Sequence, residues 1–213
     1  RMLSEHAFDS GSLFKLALAT DQSELLDDVA RDYWRTFVYP LPPALMDEAL
    51  SHWKTPTDLR KAVRNLIDDP AALGTPPESV HHAINQVVSE RLARAGELKA
   101  HPWAQWQQEV TDLLNDLNKG KRLHGGSKNA MLKVWEFLVA WAESDELLPE
   151  KLDSAAGYKN QTPEGLDNIL KGDDPAPHHP AFDAIDALLA FGQNPPSAKS
   201  DILRHASHWI AER

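Results

Sequence analysis

The sequence contains no cysteine, and this absence removes several classes of site at once. Disulfide frameworks, zinc sites with thiolate ligands and cysteine nucleophiles are all excluded. A chain without cysteine fits the reducing cytoplasm, which is where we expect this protein. Long apolar runs are also missing, because no stretch approaches the roughly 18 to 20 residues that a membrane-spanning helix requires. We therefore expect no membrane partner.

Positive charge is scarce overall but concentrated in one place. The chain has 22 basic and 32 acidic residues, a formal charge of −10, which argues against a surface that is basic all over. One segment between residues 119 and 133 nevertheless carries only basic charges. They are Lys119, Lys121, Arg122, Lys128 and Lys133, with no acid among them. Any contact with nucleic acid must therefore be local, and these five residues are the candidates for contacting its phosphates.

The same basic segment has a purely structural interpretation. Lys119 and Lys121 flank Gly120, which we predict to cap a helix in the left-handed conformation that glycine accepts easily. Cations at that position favour the negative end of the helix. Five basic residues without an acid exceed what capping needs, so phosphate contact and capping both stay open.

Other chemistries find little support. The pair Gly120-Lys121 lacks the upstream glycine of a phosphate-binding loop, so we expect no ATP site in this chain. The histidine pairs 81–82 and 178–179 lack a ligand set such as His-Glu-x-x-His, which favours surface or capping roles over a metal site. The acidic pairs 27–28 and 173–174 are typical of solvated faces or caps, and no serine lies in a nucleophile elbow. We predict no catalytic, cofactor-binding or metal-binding residue.

The apolar periodicity predicts an all-α protein, a single irregular multi-helix domain of residues 1–213. Only residues 12–18 are a candidate for a short extended segment. Apolar residues recur every three or four positions from Leu25 to Phe37, which indicates a helix that Pro40 ends. A second helix is expected from Pro42-Pro43 to Trp53. Threonine-proline pairs with a nearby acid predict helix starts at 55–58, 75–78 and 162–164.

The middle of the chain predicts a long helical hairpin. Apolar stripes over residues 80–95 and 103–117 flank a short link, so these helices should pack antiparallel. A third helix then returns, and the basic segment lies at its turn, so residues 78–143 should form a projecting arm. Two final helices are expected at about 180–191 and from about 197 onward. The tryptophans in this region fall on apolar stripes, which favours core packing over stacking on nucleic-acid bases.

Several ordered stretches resemble one protein family. They are Arg1-Met2-Leu3, Ala7-Phe8-Asp9-Ser10-Gly11, Leu13-Phe14, residues 32–42 with Tyr33-Trp34-Arg35 and Tyr39-Pro40-Leu41-Pro42, Trp53-Lys54, and residues 179–190 beginning His179-Pro180. In this order they are similar to the RecB family, the beta subunits of exodeoxyribonuclease V (RecBCD). Residues 60–175 match only loosely.

The resemblance implies a helical insertion in the first motor domain of a larger subunit. The abrupt start at Arg1 then indicates a piece of that subunit, with residues 1–20 packing on the absent motor domain. The family's subunit is an ATP-dependent 3′-to-5′ DNA helicase and nuclease of double-strand break repair and recombination. It requires ATP and magnesium, but none of its ATP-binding or nuclease residues has a counterpart in this chain. The implied partners are duplex DNA near a fork, the remaining RecB-like motor and nuclease domains, and RecC-like and RecD-like subunits.

Two functions therefore follow as expectations. In the first, the chain is a non-catalytic arm that guides duplex DNA through sequence-independent phosphate contacts. In the alternative, it is a structural module that docks on neighbouring subunits or motor domains. The docking surface would then include the apolar residues Met2, Leu3, Phe8, Leu13 and Phe14 near the start of the chain.

Overall fold

The computed structural model describes residues 23–213, and every regular element in this range is helical, which confirms the all-α prediction. A 3₁₀ turn, Pro70–Leu73, lies between the third and fourth α-helices. The α-helices are α1 (residues 23–37), α2 (Pro43–His52), α3 (Pro56–Val63), α4 (Val80–Lys99), α5 (Trp103–Lys119), α6 (Gly125–Ala142), α7 (Ala156–Lys159), α8 (Pro163–Ile169), α9 (Pro180–Gln193) and α10 (Lys199–Ala211). The extended segment predicted for residues 12–18 and the packing expected for residues 1–20 lie outside the described residues.

The described residues fall into two compact units. One comprises residues 23–88 and 197–213, and the other comprises residues 89–196. Each unit has its own apolar core. Residues 1–213 as a single domain, and the projection of residues 78–143 as an arm, stay predictions.

The core of the first unit is built around α1 and α10. Each of the rings of Tyr33 and Phe37 on α1 contacts both His205 and Trp209 on α10, at centroid distances of 4.8 to 5.7 Å. Helices α2 and α3 pack on α10 as well. The largest buried side chains here are Tyr33, Trp34, Trp53, Leu59, Ile84 and Ile202.

The core of the second unit is centred on α5 and α6. These two helices pack closely, and α7, α8 and α9 complete the unit. Its buried side chains include Trp103, Trp135, Leu114, Leu138, Tyr158 and Phe182. The interpretation of these tryptophans as core residues is therefore confirmed.

Helix α4 contributes to both cores. Val80 and Ile84 are buried in the first core, whereas Ala95 and Leu98 are buried in the second, and Leu92 between them is 61% exposed. The apolar residues of α4 therefore enter different cores along the helix. Extensive pairing is found between α5 and α6, and the antiparallel packing of α4 on α5 stays a prediction.

Two of the three threonine-proline helix starts are confirmed. Thr55 and Asp58 form a reciprocal capping box at α3, and the Thr162 hydroxyl accepts the Gly165 N–H at 2.9 Å to cap α8. The start predicted at Thr75 is wrong, because α4 begins at Val80. A residue before proline avoids the helical region, so Pro77 keeps the chain extended and delays the helix. The Ser79 hydroxyl caps it instead, accepting the His82 N–H at 3.3 Å.

A half-buried histidine makes the first unit sensitive to pH. Burial lowers the pKa of His205, whose Nδ1 lies 3.1 Å from the hydroxyl of the fully buried Tyr33. The unfolded chain then binds this proton more readily than the folded chain does. Stability contributed by the neutral ring is present above the unfolded pKa of about 6.5 and is lost as pH falls below it.

We therefore expect His205→Gln to flatten the loss of stability on acidification. Glutamine keeps a polar partner for Tyr33 but does not titrate. Urea unfolding from pH 7 down to pH 5 measures the free energy of unfolding of both proteins. Parallel curves would show that His205 contributes nothing to this pH dependence.

None of the described helices is long and apolar enough to cross a membrane.

Candidate nucleic-acid interface

The basic loop, residues 119–128, joins α5 to α6 and is tightly fixed at its start. The Lys121 N–H donates to the Asn118 carbonyl at 3.0 Å, and the Arg122 N–H donates to the Leu117 carbonyl at 2.9 Å. This pair of bonds is a Schellman motif that closes α5. Leu123 is buried and anchors the loop to the core. The side-chain amide of Asn118 donates to the Leu123 carbonyl at 2.8 Å.

The predicted cap at Gly120 is correct, but the left-handed residue is not glycine. Gly120 caps α5 with a φ of −69°, in the right-handed region. Lys121 takes the left-handed conformation instead, with a φ of 62°. A Schellman motif places its left-handed residue one position beyond the cap, which is where Lys121 stands. A side chain there costs about 1 to 2 kcal/mol relative to the right-handed conformation.

Three of the five predicted phosphate contacts present their side chains to solvent. The side chains of Lys121 and Lys133 are exposed and make no hydrogen bond or ion pair with the described part of the chain. Lys119 lies 3.2 Å from Asp116, but their side chains are 78% and 77% exposed, so water and salt weaken this pair. All three ammonium groups are available to an anion.

The Arg122 side chain makes hydrogen bonds within the protein. Its guanidinium donates to the carbonyl oxygens of Lys171 and Pro175, each at 3.4 Å, and to that of Asp174. The Lys171 N–H in turn donates to the Arg122 carbonyl at 2.9 Å. The side chain is therefore committed to holding residues 171–175 against the basic loop.

Lys128 is also held within the protein. It is half-buried, and its Nζ donates to the Asn115 side-chain oxygen at 3.0 Å. This bond ties the first turn of α6 to α5. The ammonium group keeps two further N–H donors, so this bond orients Lys128 without using all of its donors.

The start of α6 adds a positive field to the loop. His124 caps this helix, its Nδ1 accepting the Gly126 N–H at 3.1 Å. The first turn, from Gly125 to Lys128, contains no acid. The positive end of the helix dipole therefore adds to the lysine charges.

Sequence reasoning missed one basic residue beside this loop. Lys171 is exposed and its backbone is bonded to Arg122, 49 positions earlier in the chain. The same contact brings Asp173 and Asp174 close to the loop. No local pattern signals this pairing, since only the fold brings the two segments together.

One histidine of the pair 178–179 has two polar partners. His179 caps α9 through Nδ1, which accepts the Ala181 N–H at 3.1 Å, and its Nε2 lies 2.9 Å from Glu109. Hydrogen bonds from Gln105 and then His179 lower the pKa of Glu109. Among residues 23–213 no group of three or more potential ligands is placed to hold a metal ion.

One cluster has the residue types of a hydrolytic triad but the wrong geometry. Ser197 Oγ lies 3.1 Å from His52 Nε2, and Glu48 Oε1 lies 2.9 Å from the same nitrogen. A relay needs the acid and the serine on opposite ring nitrogens. Glu48 also accepts the Ala198 N–H at 2.9 Å, so this buried carboxylate fixes the start of α10.

The comparisons with known proteins agree with the family resemblance. No protein-family model matches the chain. Among curated proteins, the RecBCD enzyme subunit RecB of Escherichia coli strain K12 is 29% identical over 215 aligned positions, which cover the whole chain and 17% of that protein. The chain is similar to a small part of RecB. The RecBCD enzyme subunit RecB of Haemophilus influenzae is 30% identical over 128 positions, covering 56% of this chain and 10% of that relative.

The chain thus spans less than a fifth of the length of either relative. The Escherichia coli match also extends through residues 60–175, where individual motifs were weak. The basic loop therefore lies within the region of RecB similarity.

Proposed function

We propose that this chain is a non-catalytic, DNA-contacting part of a RecB-like helicase and nuclease subunit, guiding duplex DNA by phosphate contacts that do not depend on sequence. The main support is the presence of three exposed lysines, of which Lys119 and Lys121 lie at the turn between α5 and α6 and Lys133 lies about two turns into α6. Lys121 stands on a loop that a Schellman motif and buried Leu123 hold in place. Similarity to RecB supports the DNA context.

Charge and geometry favour weak, non-specific binding. Lysine is a flexible point charge that contacts phosphate without reading bases. Each neutralised phosphate steepens the fall of log affinity with log salt by about 0.9. Three contacts thus predict a shallow slope, and an affinity within or weaker than the roughly 10⁻⁴ to 10⁻⁶ M of non-specific binding.

The test is a salt titration of a fluorescent duplex with the full chain. The variant combines Lys119→Gln, Lys121→Gly and Lys133→Gln. Lys121→Gly removes a charge and also relieves the left-handed side chain, so we expect about 1 kcal/mol of added stability from this change alone. Weaker binding by a protein that is no less stable would then come from lost charge and not from unfolding. We expect the slope to fall by about 3.

A matched control is Lys61→Gln, because Lys61 is an exposed lysine in the first unit with no partner in the described part of the chain. Its slope should equal that of the unmodified chain. Binding that is absent at low salt, or unchanged in the triple variant, contradicts the proposal.

In the complete subunit, we propose that the same three changes slow duplex unwinding but leave ATP hydrolysis stimulated by single strands nearly intact. ATP and magnesium would be bound by the remaining motor domains, and the chain would work beside RecC-like and RecD-like subunits. Equal losses of unwinding and ATP hydrolysis would point to a general defect of the motor.

A docking role is the second candidate, and a groove in the first unit favours it. The groove has a volume of about 470 Å³. Leu26, Val29 and Ile210 form an apolar wall, and Arg60 and Arg64 supply charge. If docking is the main role, Arg64→Glu should reduce assembly with neighbouring domains while duplex binding by the isolated chain stays unchanged.

A further inference from the structure

Residues 171–175 lie against the basic loop through contacts made in both directions. The Lys171 N–H donates to the Arg122 carbonyl at 2.9 Å. The Arg122 guanidinium donates to the carbonyl of Lys171 at 3.4 Å and to the carbonyls of Asp174 and Pro175. These bonds fix the backbone of residues 171–175 and involve none of the side chains of that segment.

We propose that Lys171, which lies beside the basic loop, is a further phosphate-contacting residue. Arg122 is the positioning residue that places Lys171 there. The inference rests on the proposed function. It assigns Arg122, the only arginine of the predicted site, to positioning Lys171 rather than to contacting DNA itself.

The two side chains differ in what remains available for an anion. Lys171 is exposed and its ammonium group makes no hydrogen bond or ion pair within residues 23–213. Arg122 is half-buried, and its guanidinium is engaged with three carbonyl oxygens. A phosphate that recruited Arg122 would break bonds that hold the segment, whereas Lys171 can bind without such a cost.

The same segment carries two exposed carboxylates, Asp173 and Asp174. The carbonyl of Asp174 accepts a hydrogen bond from Arg122, which places both carboxylates close to the basic loop. Charges act over about 10 Å at 0.1 M salt, so both carboxylates influence an anion at the loop. They oppose an approaching phosphate. Neutralising Lys171 and neutralising the two aspartates should therefore change DNA affinity in opposite directions.

The experiment measures duplex affinity of the full chain between about 50 and 200 mM salt. The variants are Lys171→Gln, the double variant Asp173→Asn with Asp174→Asn, Arg122→Gln, and Arg122→Gln combined with Lys171→Gln. Lys61→Gln is again the charge-matched control. Circular dichroism and urea unfolding confirm that each protein is folded.

We expect Lys171→Gln to weaken binding and to lower the salt slope by about 1, while the double aspartate variant binds more tightly. Arg122→Gln should weaken binding by about as much as Lys171→Gln. Adding Lys171→Gln to it should change little more, because both changes remove the same contact.

Three results would overturn the inference. They are an unchanged salt slope in Lys171→Gln, weaker binding by the double aspartate variant, and additive losses from Arg122→Gln and Lys171→Gln. Additive losses would mean that Arg122 itself contacts phosphate. If Arg122→Gln does not fold, the other two results still decide whether Lys171 contacts DNA. These failures leave Lys119, Lys121 and Lys133 in place, whereas a wild-type chain that binds no duplex removes the proposed function itself.

Discussion

Replacing Gly157 with alanine is expected to destabilise the second unit by about 3 kcal/mol or more. A Cβ at this position would stand 2.1 Å from the carbonyl oxygen of Ala130 and 2.8 Å from its carbon. These atoms belong to the backbone of α6, which cannot move aside as a flexible side chain can. Helix α7 would therefore have to shift, together with buried Tyr158, whose hydroxyl donates to the Glu150 carbonyl at 3.0 Å.

Gly96→Ala provides the matched control, since within residues 23–213 nothing outside the adjacent residues and the nearby backbone of α4 lies within 4 Å of the Cβ position. Gly96 is inside α4, where alanine is favoured over glycine by about 1 kcal/mol. The same substitution should thus stabilise one site and disrupt the other. Urea unfolding followed by tryptophan fluorescence measures both, and a Gly157→Ala midpoint equal to that of the wild type would refute the close approach of α7 to α6.

Replacing Gln161 with methionine is expected to lower the free energy of unfolding by about 2 to 4 kcal/mol, because it breaks a buried set of hydrogen bonds. Gln161 is 0% exposed. Its side-chain oxygen accepts the Trp135 indole N–H at 2.7 Å, and its amide donates to the carbonyls of Met131 at 3.1 Å and Gly157 at 3.0 Å. Methionine preserves the length of the side chain but leaves the indole N–H buried without a partner.

A double-mutant cycle separates the hydrogen bond from the packing. Trp135→Phe removes the donor, so the combined variant should lose less stability than the sum of the two single changes. Additive losses in urea unfolding would show that the bond between Trp135 and Gln161 contributes little. Because Gln161 also bonds to Gly157, its effect should not add simply to that of Gly157→Ala.

The helix starts show how far local sequence rules extend. Thr55 and Thr162 were predictable because a cap is satisfied within three residues of its own position. The start at Thr75 was wrong although the same rule applied. The two consecutive prolines, Pro76 and Pro77, keep this stretch extended, and Ser79 caps the helix instead.

The path of α4 was less predictable for a different reason. Its periodicity correctly indicates a helix, since the spacing of apolar residues depends on the helix itself. Periodicity does not reveal which core each part of the stripe enters. The exposure of Leu92, between positions buried in two different cores, follows only from tertiary packing.

In the candidate interface, the sequence by itself determined that the basic residues cluster and that a helix end lies among them. Charge and helix capping depend on neighbours a few positions away, so they can be read from the chain. Only the tertiary structure decided that Lys121 is left-handed, that Arg122 braces residues 171–175, and that Lys171 belongs beside the loop. The last two outcomes depend on contacts across 49 positions, which form only when α5, α6 and the segment before α9 pack into one unit.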